Sequence, residues 1–227
     1  MGTSKGYIPP TRIEWTQAKR AVTQLVNNRD AQSVANAASK FASAMKADTR
    51  DGTTFTHAVA GILSLAKSIS GHGVDNALRE INRQDLLEKN SDEIWNDLLQ
   101  QYTTNGATAE DSLAIDALSL ALQNLKIDNL EKLGLVSQEV LLKEMLIDYI
   151  SLNFEFRYAE KIGKDRSPSD AHHIIELIQK YIRSNLYENL TFQDIQAIDF
   201  NQLSGDAYVE SALSSAFTLF EQLYTED

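Results

Sequence analysis

The sequence predicts an all-α protein, a multi-helix bundle of about ten helices behind an extended, flexible N-terminal tail. Two observations carry that expectation. Apolar residues recur at spacings of three and four from residue 11 to the end, and no stretch alternates in the manner of a strand. Helix-start and helix-stop residues separate these stretches, while three prolines and ten glycines in 227 residues are too few for a loop-rich chain.

Residues 1–10, Met1-Gly2-Thr3-Ser4-Lys5-Gly6-Tyr7-Ile8-Pro9-Pro10, have neither period. Glycine loosens the backbone, and each residue before a proline is pushed towards extended conformations. Tyr7 and Ile8 are the only large apolar side chains after Met1 in this tail. The first helix follows Thr11-Arg12-Ile13-Glu14, which has the spacing of a capping box. Its expected apolar side is Ile13, Trp15, Ala21, Val22 and Leu25, and it ends near Asn27-Asn28. A second helix, from about Asp30 to Ala47, carries Val34, Ala37, Ala38, Phe41 and Met45 at helical spacing, and Asp51-Gly52 closes it. The third begins near Thr54 with Phe55, Val59, Ile62, Leu63, Ala66 and Ile69 on one side. Ser70-Gly71-His72-Gly73 ends that helix and marks the expected subdomain boundary, because glycine terminates helices at little cost.

Beyond it the helices become longer and more acidic. Val74, Leu78 and Ile81 mark a short helix, Leu86 and Leu87 a turn, and Ser91 the expected cap of a helix with Ile94, Trp95, Leu98 and Leu99. Asn105-Gly106 is a break. Thr108-Ala109-Glu110-Asp111 opens the next helix, through Leu113, Ala117, Leu120 and Ala121 to about Leu125, with acids in the first turn complementing the helix dipole. After a turn from Leu130 to Gly134, Ser137 caps a long helix to about Lys161, carrying Val140, Leu141, Ile147, Ile150, Phe154 and Tyr158 and expected to be buried on one face. Ser167-Pro168-Ser169-Asp170 starts another, with proline where no amide bond is lost, running to about Glu188. Thr191-Phe192-Gln193-Asp194 is expected to cap a short helix. The last runs from about Asp206 to Tyr224, with Tyr208, Leu213, Ala216, Phe217, Phe220 and Leu223 facing inward. The expected organisation is a tail (1–10), an N-terminal helical subdomain (11–72) and an acidic C-terminal helical domain (73–227).

Composition narrows the function classes. The absence of cysteine removes disulfides, thiolate metal sites and a cysteine nucleophile, and suits a reducing cytoplasm. No run of about 18 apolar residues spans a membrane, and no apolar region follows Lys5 as a signal peptide would require. A myristoylation motif would need Ser or Thr where Gly6 stands. The net charge is −11, yet residues 1–50 hold eight Lys and Arg against Glu14, Asp30 and Asp48, a balance of +5. The acidic remainder repels nucleic acid, so direct nucleic-acid binding is not expected.

Chemistry-bearing clusters are few. Asp170, His172, His173 and Glu176 could approach a metal, but His172 and Glu176 share a helical face that His173 leaves, and the pattern is not His-Glu-x-x-His. A capping or surface role accounts for them better, and no metal or cofactor is expected. Gly71-His72-Gly73 lacks the Gly-Lys-Ser/Thr ending of a phosphate loop and reads as a helix terminator. Phe154, Phe156 and Tyr158 alternate inside a helical stretch, which favours packing over base stacking, and His57 has no visible partner. With no convergent titratable groups, no catalytic residue is assigned and the chain is not expected to be an enzyme.

The opening Met1-Gly2-Thr3-Ser4, together with the alanine-rich helix Asn36-Ala37-Ala38-Ser39-Lys40-Phe41-Ala42-Ser43-Ala44, resembles the QatB family of the Qat anti-phage defence operons. These operons also encode an ATPase, a QueC-like enzyme and a TatD-like nuclease. QatB-like proteins often carry a longer Gly/Pro-rich run where this chain has Gly6-Tyr7-Ile8-Pro9-Pro10. The resemblance implies that the QueC-like partner uses ATP to join a 7-deazaguanine base to the amine of Gly2 after Met1 is removed. It further implies that Thr3, Ser4, Lys5 and Gly6 enter the partner's cleft, that Tyr7 and Ile8 anchor the arm, and that the helical body contacts the ATPase or the nuclease. The residues alone leave alternatives open. A small second residue also follows from ordinary removal of initiator Met, the tail could bind a partner unmodified in an adaptor, and the acidic helices could imitate nucleic acid in an inhibitor.

Overall fold

The structure, a computed structural model, describes residues 12–48, 53–102 and 108–224. Among these, ten α-helices and two 3-10 turns account for all regular structure. They are α1 (Ile13–Asn28), α2 (Ala31–Ala47), α3 (Thr53–His72), α4 (Val74–Glu80), α5 (Ser91–Tyr102), α6 (Ala109–Asn124), α7 (Leu130–Leu133), α8 (Gln138–Gly163), α9 (Pro168–Asn189) and α10 (Leu203–Leu223). The 3-10 turns are Gln84–Glu88 and Ile195–Ala197. The expected tail, and the breaks at Asp51-Gly52 and Asn105-Gly106, lie outside the described residues.

Most helices start where a side-chain oxygen can accept an otherwise orphaned amide. Asp30 accepts from Ser33, Ser137 from Val140, and Ser167 from Asp170 ahead of Pro168. Thr108 and Asp111 form a reciprocal capping box on α6. Three expected starts need correction. For α1 the N-cap is Arg12, without a side-chain cap, and Thr11 lies outside the described residues. For α5 the capping box belongs to Asn90, whose Oδ1 accepts the Glu93 amide at 3.0 Å, so Ser91 is already helical. Before the turn Ile195–Ala197 the N-cap is Asp194 in a left-handed conformation, and Thr191 plays no part. The last helix also starts earlier than expected, at Leu203.

The α1 stripe is Trp15, Ala18, Ala21, Val22, Leu25 and Val26. Ile13, assigned to that stripe from sequence, is 68% exposed, because two residues of helix carry it roughly 200° away from Trp15. Helix α1 pairs with α2, and α10 returns to cover α2 and α3. Helix α8 is the hub, packing on α6 and α9 and touching α1, α3 and α10. Aromatic side chains join the layers: Phe41 of α2 meets Phe154 of α8 edge-on at 5.3 Å, and Phe55 of α3 stacks on Tyr149 at 3.9 Å. The buried side chains form one continuous core that crosses from residues before Gly73 to those after it.

The long helix departs from the expectation of a single buried face. Every residue from Leu141 to Ser151 is buried, since α6 and α9 flank α8 on separate sides. The helix opens towards its ends, where Val140 is 39% and Phe156 44% exposed. Phe154 and Tyr158 are core residues, whereas Phe156 points outward. Tyr208 is half-buried and Leu223, at the end of α10, is exposed.

Candidate functional site

The residues singled out from sequence, Gly2, Thr3, Ser4, Lys5, Gly6, Tyr7 and Ile8, all lie outside the described residues. The ground next to the start of α1 is described. The Arg157 guanidinium lies 4.4 Å from the Trp15 ring centroid, a cation–π contact between α8 and α1. Nearby, burial holds the Lys161 ammonium below its usual range, reinforced by the positive charges of Lys19, Lys164 and Arg166. Lys19, Lys164 and Arg166 thus stand close enough to act on Lys161 where α1 meets the end of α8.

The histidine and acid cluster is drawn apart by ordinary pairing. Asp170 accepts two bonds from Arg29, at 2.6 and 2.8 Å, and that fork holds its carboxyl below the normal range. Arg29 reaches it because it sits at the C-cap of α1 with φ 59°. His172 lies 3.6 Å from Glu176 one turn on, and no group of three or more potential metal ligands gathers among the described residues. His57, to which the sequence assigned no partner, has Nδ1 3.1 Å from Asp206 Oδ2 at the start of α10.

The strongest electrostatic feature lies outside the clusters that the sequence singles out. Glu144 and Asp148 lie one turn apart on α8, with side chains only 2% and 4% exposed. Arg183 of α9 spans both. Its Nη1 donates to Glu144 Oε2 at 3.0 Å and its Nη2 to Asp148 Oδ1 at 3.1 Å, while Nη2 also lies 2.7 Å from Glu144 Oε1 as an ion-pair contact. Asn124 of α6 donates to the other Asp148 oxygen at 3.0 Å. The Tyr187 hydroxyl donates to Glu144, and Lys143 donates to the Tyr187 carbonyl at 3.3 Å.

Burial, and then the neighbouring Glu144 charge, push the Asp148 carboxyl up to about 7 against the opposing pull of Arg183 and Asn124. Burial and the bond to Glu144 push Tyr187 up to about 12, which leaves it a poor proton donor near neutrality. Burial would lower the Arg183 guanidinium, but Glu144, Asp148 and Tyr187 together raise it. Perturbed acids often mark functional sites, yet ion-pair networks perturb them too. Here both acids are spent on Arg183, and neither lines the surface cavities at α5–α6, α9–α10, α3–α10 or α3–α8. The network fastens α6, α8 and α9 together. Its sequence signal is an i, i+4 acid pair set within the apolar run from Leu141 to Ile150.

No helix among the described residues is long and apolar enough to cross a membrane. No curated protein and no solved structure matches the chain. A family model, described as Qat anti-phage system associated protein QatB, matches residues 43–220, from within α2 to within α10. That match takes in most of the core just described, and the chain belongs to the QatB family, a component of the Qat anti-phage defence system.

Proposed function

We propose that this QatB protein is a non-catalytic substrate of the defence system, whose Gly2 amine accepts a 7-deazaguanine base from a QueC-like partner. The family match carries the reading, because it assigns the chain to the Qat system, and Met1-Gly2-Thr3-Ser4 supplies the acceptor. The matched residues lie in the helical body, so the tail is the part left to be read from its own chemistry. An α-amine has a pKa of about 8, so a useful fraction is neutral and nucleophilic near pH 7.5. That amine attacks an acyl carbon on the base that ATP has activated. The new amide bond forms as the activating group leaves, and the amine gives up a proton. The partner holds the nucleotide, while this chain contributes the amine and a docking surface. Thr3, Ser4, Lys5 and Gly6 follow the amine into the cleft, with Tyr7 and Ile8 as anchors. The operon ATPase and TatD-like nuclease are the next partners, and the site of action is the cytoplasm.

The test is the intact mass of the protein co-expressed with the QueC-like partner, for wild type, Gly2→Ala and Gly2→Leu. Gly2→Ala still permits Met1 removal, and its methyl in a cleft shaped for glycine slows conjugation roughly 5- to 150-fold through an overpacking penalty of about 1–3 kcal/mol. Gly2→Leu retains Met1 and abolishes the mass increase. An equal increase on all three proteins overturns the reading.

A further inference from the structure

The lining of the cavity between α5 and α6 leaves polar groups waiting for a partner. The cavity measures about 870 Å³ and is walled by Trp95 and Leu99 of α5, Leu122 and Gln123 of α6, and Lys126 and Ile127 of the turn that follows. That volume lies in the range of small-molecule sites. Its floor is apolar, with Leu99, Leu122 and Ile127 all buried. Trp95 is half-buried, and its indole nitrogen is shielded from solvent with no acceptor among the described residues. A buried N–H without an acceptor costs on the order of 1–3 kcal/mol, so the position calls for an explanation.

The Trp15 indole nitrogen is likewise unpaired, so the orphaned donor is not decisive alone. The difference is that the Trp15 ring is covered by the Arg157 guanidinium, whereas Trp95 walls an open cavity. Lys126 lines the same cavity with φ 57° and makes no ion pair among the described residues, while Asp128, which also lines it, is held by Lys132 at 2.6 Å. Asn96 and Ser119 add an amide and a hydroxyl to the lining. An aromatic wall, an apolar floor, an unpaired N–H and a free ammonium suit a ligand with a planar ring at one end and an anion at the other. The ring rests against Trp95 and offers an acceptor to its N–H, and the anion reaches Lys126.

We propose that the α5–α6 cavity is a small-molecule site for a nucleoside monophosphate, with Trp95 recognising the base and Lys126 the phosphate. The site is independent of the chemistry at Gly2. Calorimetric titration of the full chain tests it, using AMP, GMP, CMP and UMP as probes, with inorganic phosphate and the matching nucleosides as separate arms. Saturable 1:1 binding of at least one nucleotide is expected, with phosphate alone and nucleoside alone each weaker by about tenfold or more, since each keeps only one of the two recognition elements. Lys126→Gln removes a charge-assisted bond and weakens binding by about tenfold, and Trp95→Phe keeps a ring but loses the N–H and weakens it about fivefold. Lys126 is exposed, so its variant retains the fold even if Trp95→Phe does not, and thermal melts identify that case. No saturable heat with any nucleotide overturns the proposal. So does an affinity unchanged in Lys126→Gln, or phosphate or a nucleoside binding as tightly as the nucleotide.

Discussion

Replacing Asp148 by Asn should change stability in a way that depends on pH with a fixed sign. The folded protein holds the Asp148 carboxyl at about 7, whereas the unfolded chain returns it to its ordinary 3.8. Between these values the folded state keeps a proton that the unfolded state releases. The contribution of this group to stability is therefore full at acid pH and is lost as pH rises through 7. At about 1.4 kcal/mol per pH unit of slope, the loss between pH 5 and pH 8 is about 2.5 kcal/mol at most. Asparagine does not titrate and nearly reproduces the shape. Its carbonyl can accept from Arg183, while Asn124 turns its own amide to offer an oxygen. Wild type and Asp148→Asn should therefore be compared by urea denaturation at pH 5, 6, 7 and 8. Groups remote from Asp148 cancel in the difference. The variant should gain on wild type between pH 5 and pH 7, by up to that amount, and the difference should level off by pH 8. A difference that stays flat, or that falls with rising pH, would show that Asp148 is ionised throughout and that Arg183 outweighs burial.

Other expectations rest on packing alone. Ile147 is 1% exposed at the centre of α8, so Ile147→Ala should cost about 2–4 kcal/mol in denaturant unfolding through lost burial and a residual cavity. A cost within error would mean that the core is not centred there. At Gly205 an added Cβ would stand 2.7 Å from the Phe200 Cα, a backbone atom that cannot swing aside. Gly205→Ala should then lower the unfolding free energy by about 1–3 kcal/mol, whereas Gly163→Ala, with open space around it, serves as a control near zero.

The helices were legible because their determinants are local. Caps at Asp30, Thr108, Ser137 and Ser167 and the stripes of α2 and α3 follow from spacing within about one or two turns. The misplacements have an equally local cause. Ile13 fits the stripe by residue type although its angle excludes it, and Asn90 and Ser91 are both good caps one position apart. What could not be read was partnership across the chain. Arg183 meets Glu144 from 39 residues away, and His57 meets Asp206 from 149. Nothing in the sequence near either end specifies that approach. The depth of α8 was hidden for the same reason: a charged pair reads as a wet face until its partner is known. The α5–α6 cavity depends on the packing of three segments, and no spacing rule announces it. Gly2, outside the described residues, is proposed on chemical grounds alone.

The return of α10 onto α2 has a consequence during synthesis. Ser43 and Glu221 share a hydrogen bond at 2.7 Å although 178 residues separate them. At ribosomal rates of 5–20 residues per second, roughly 9–36 s pass between the appearance of one partner and the other. Through that interval the faces of α2 and α3 that α10 will cover have no permanent cover. The nascent chain must be sheltered, or must close over itself provisionally, until the last helix emerges. A ribosome stalled anywhere before residue 203 would hold a chain with its first helices made and its core unsealed, a natural target for chaperones and proteases.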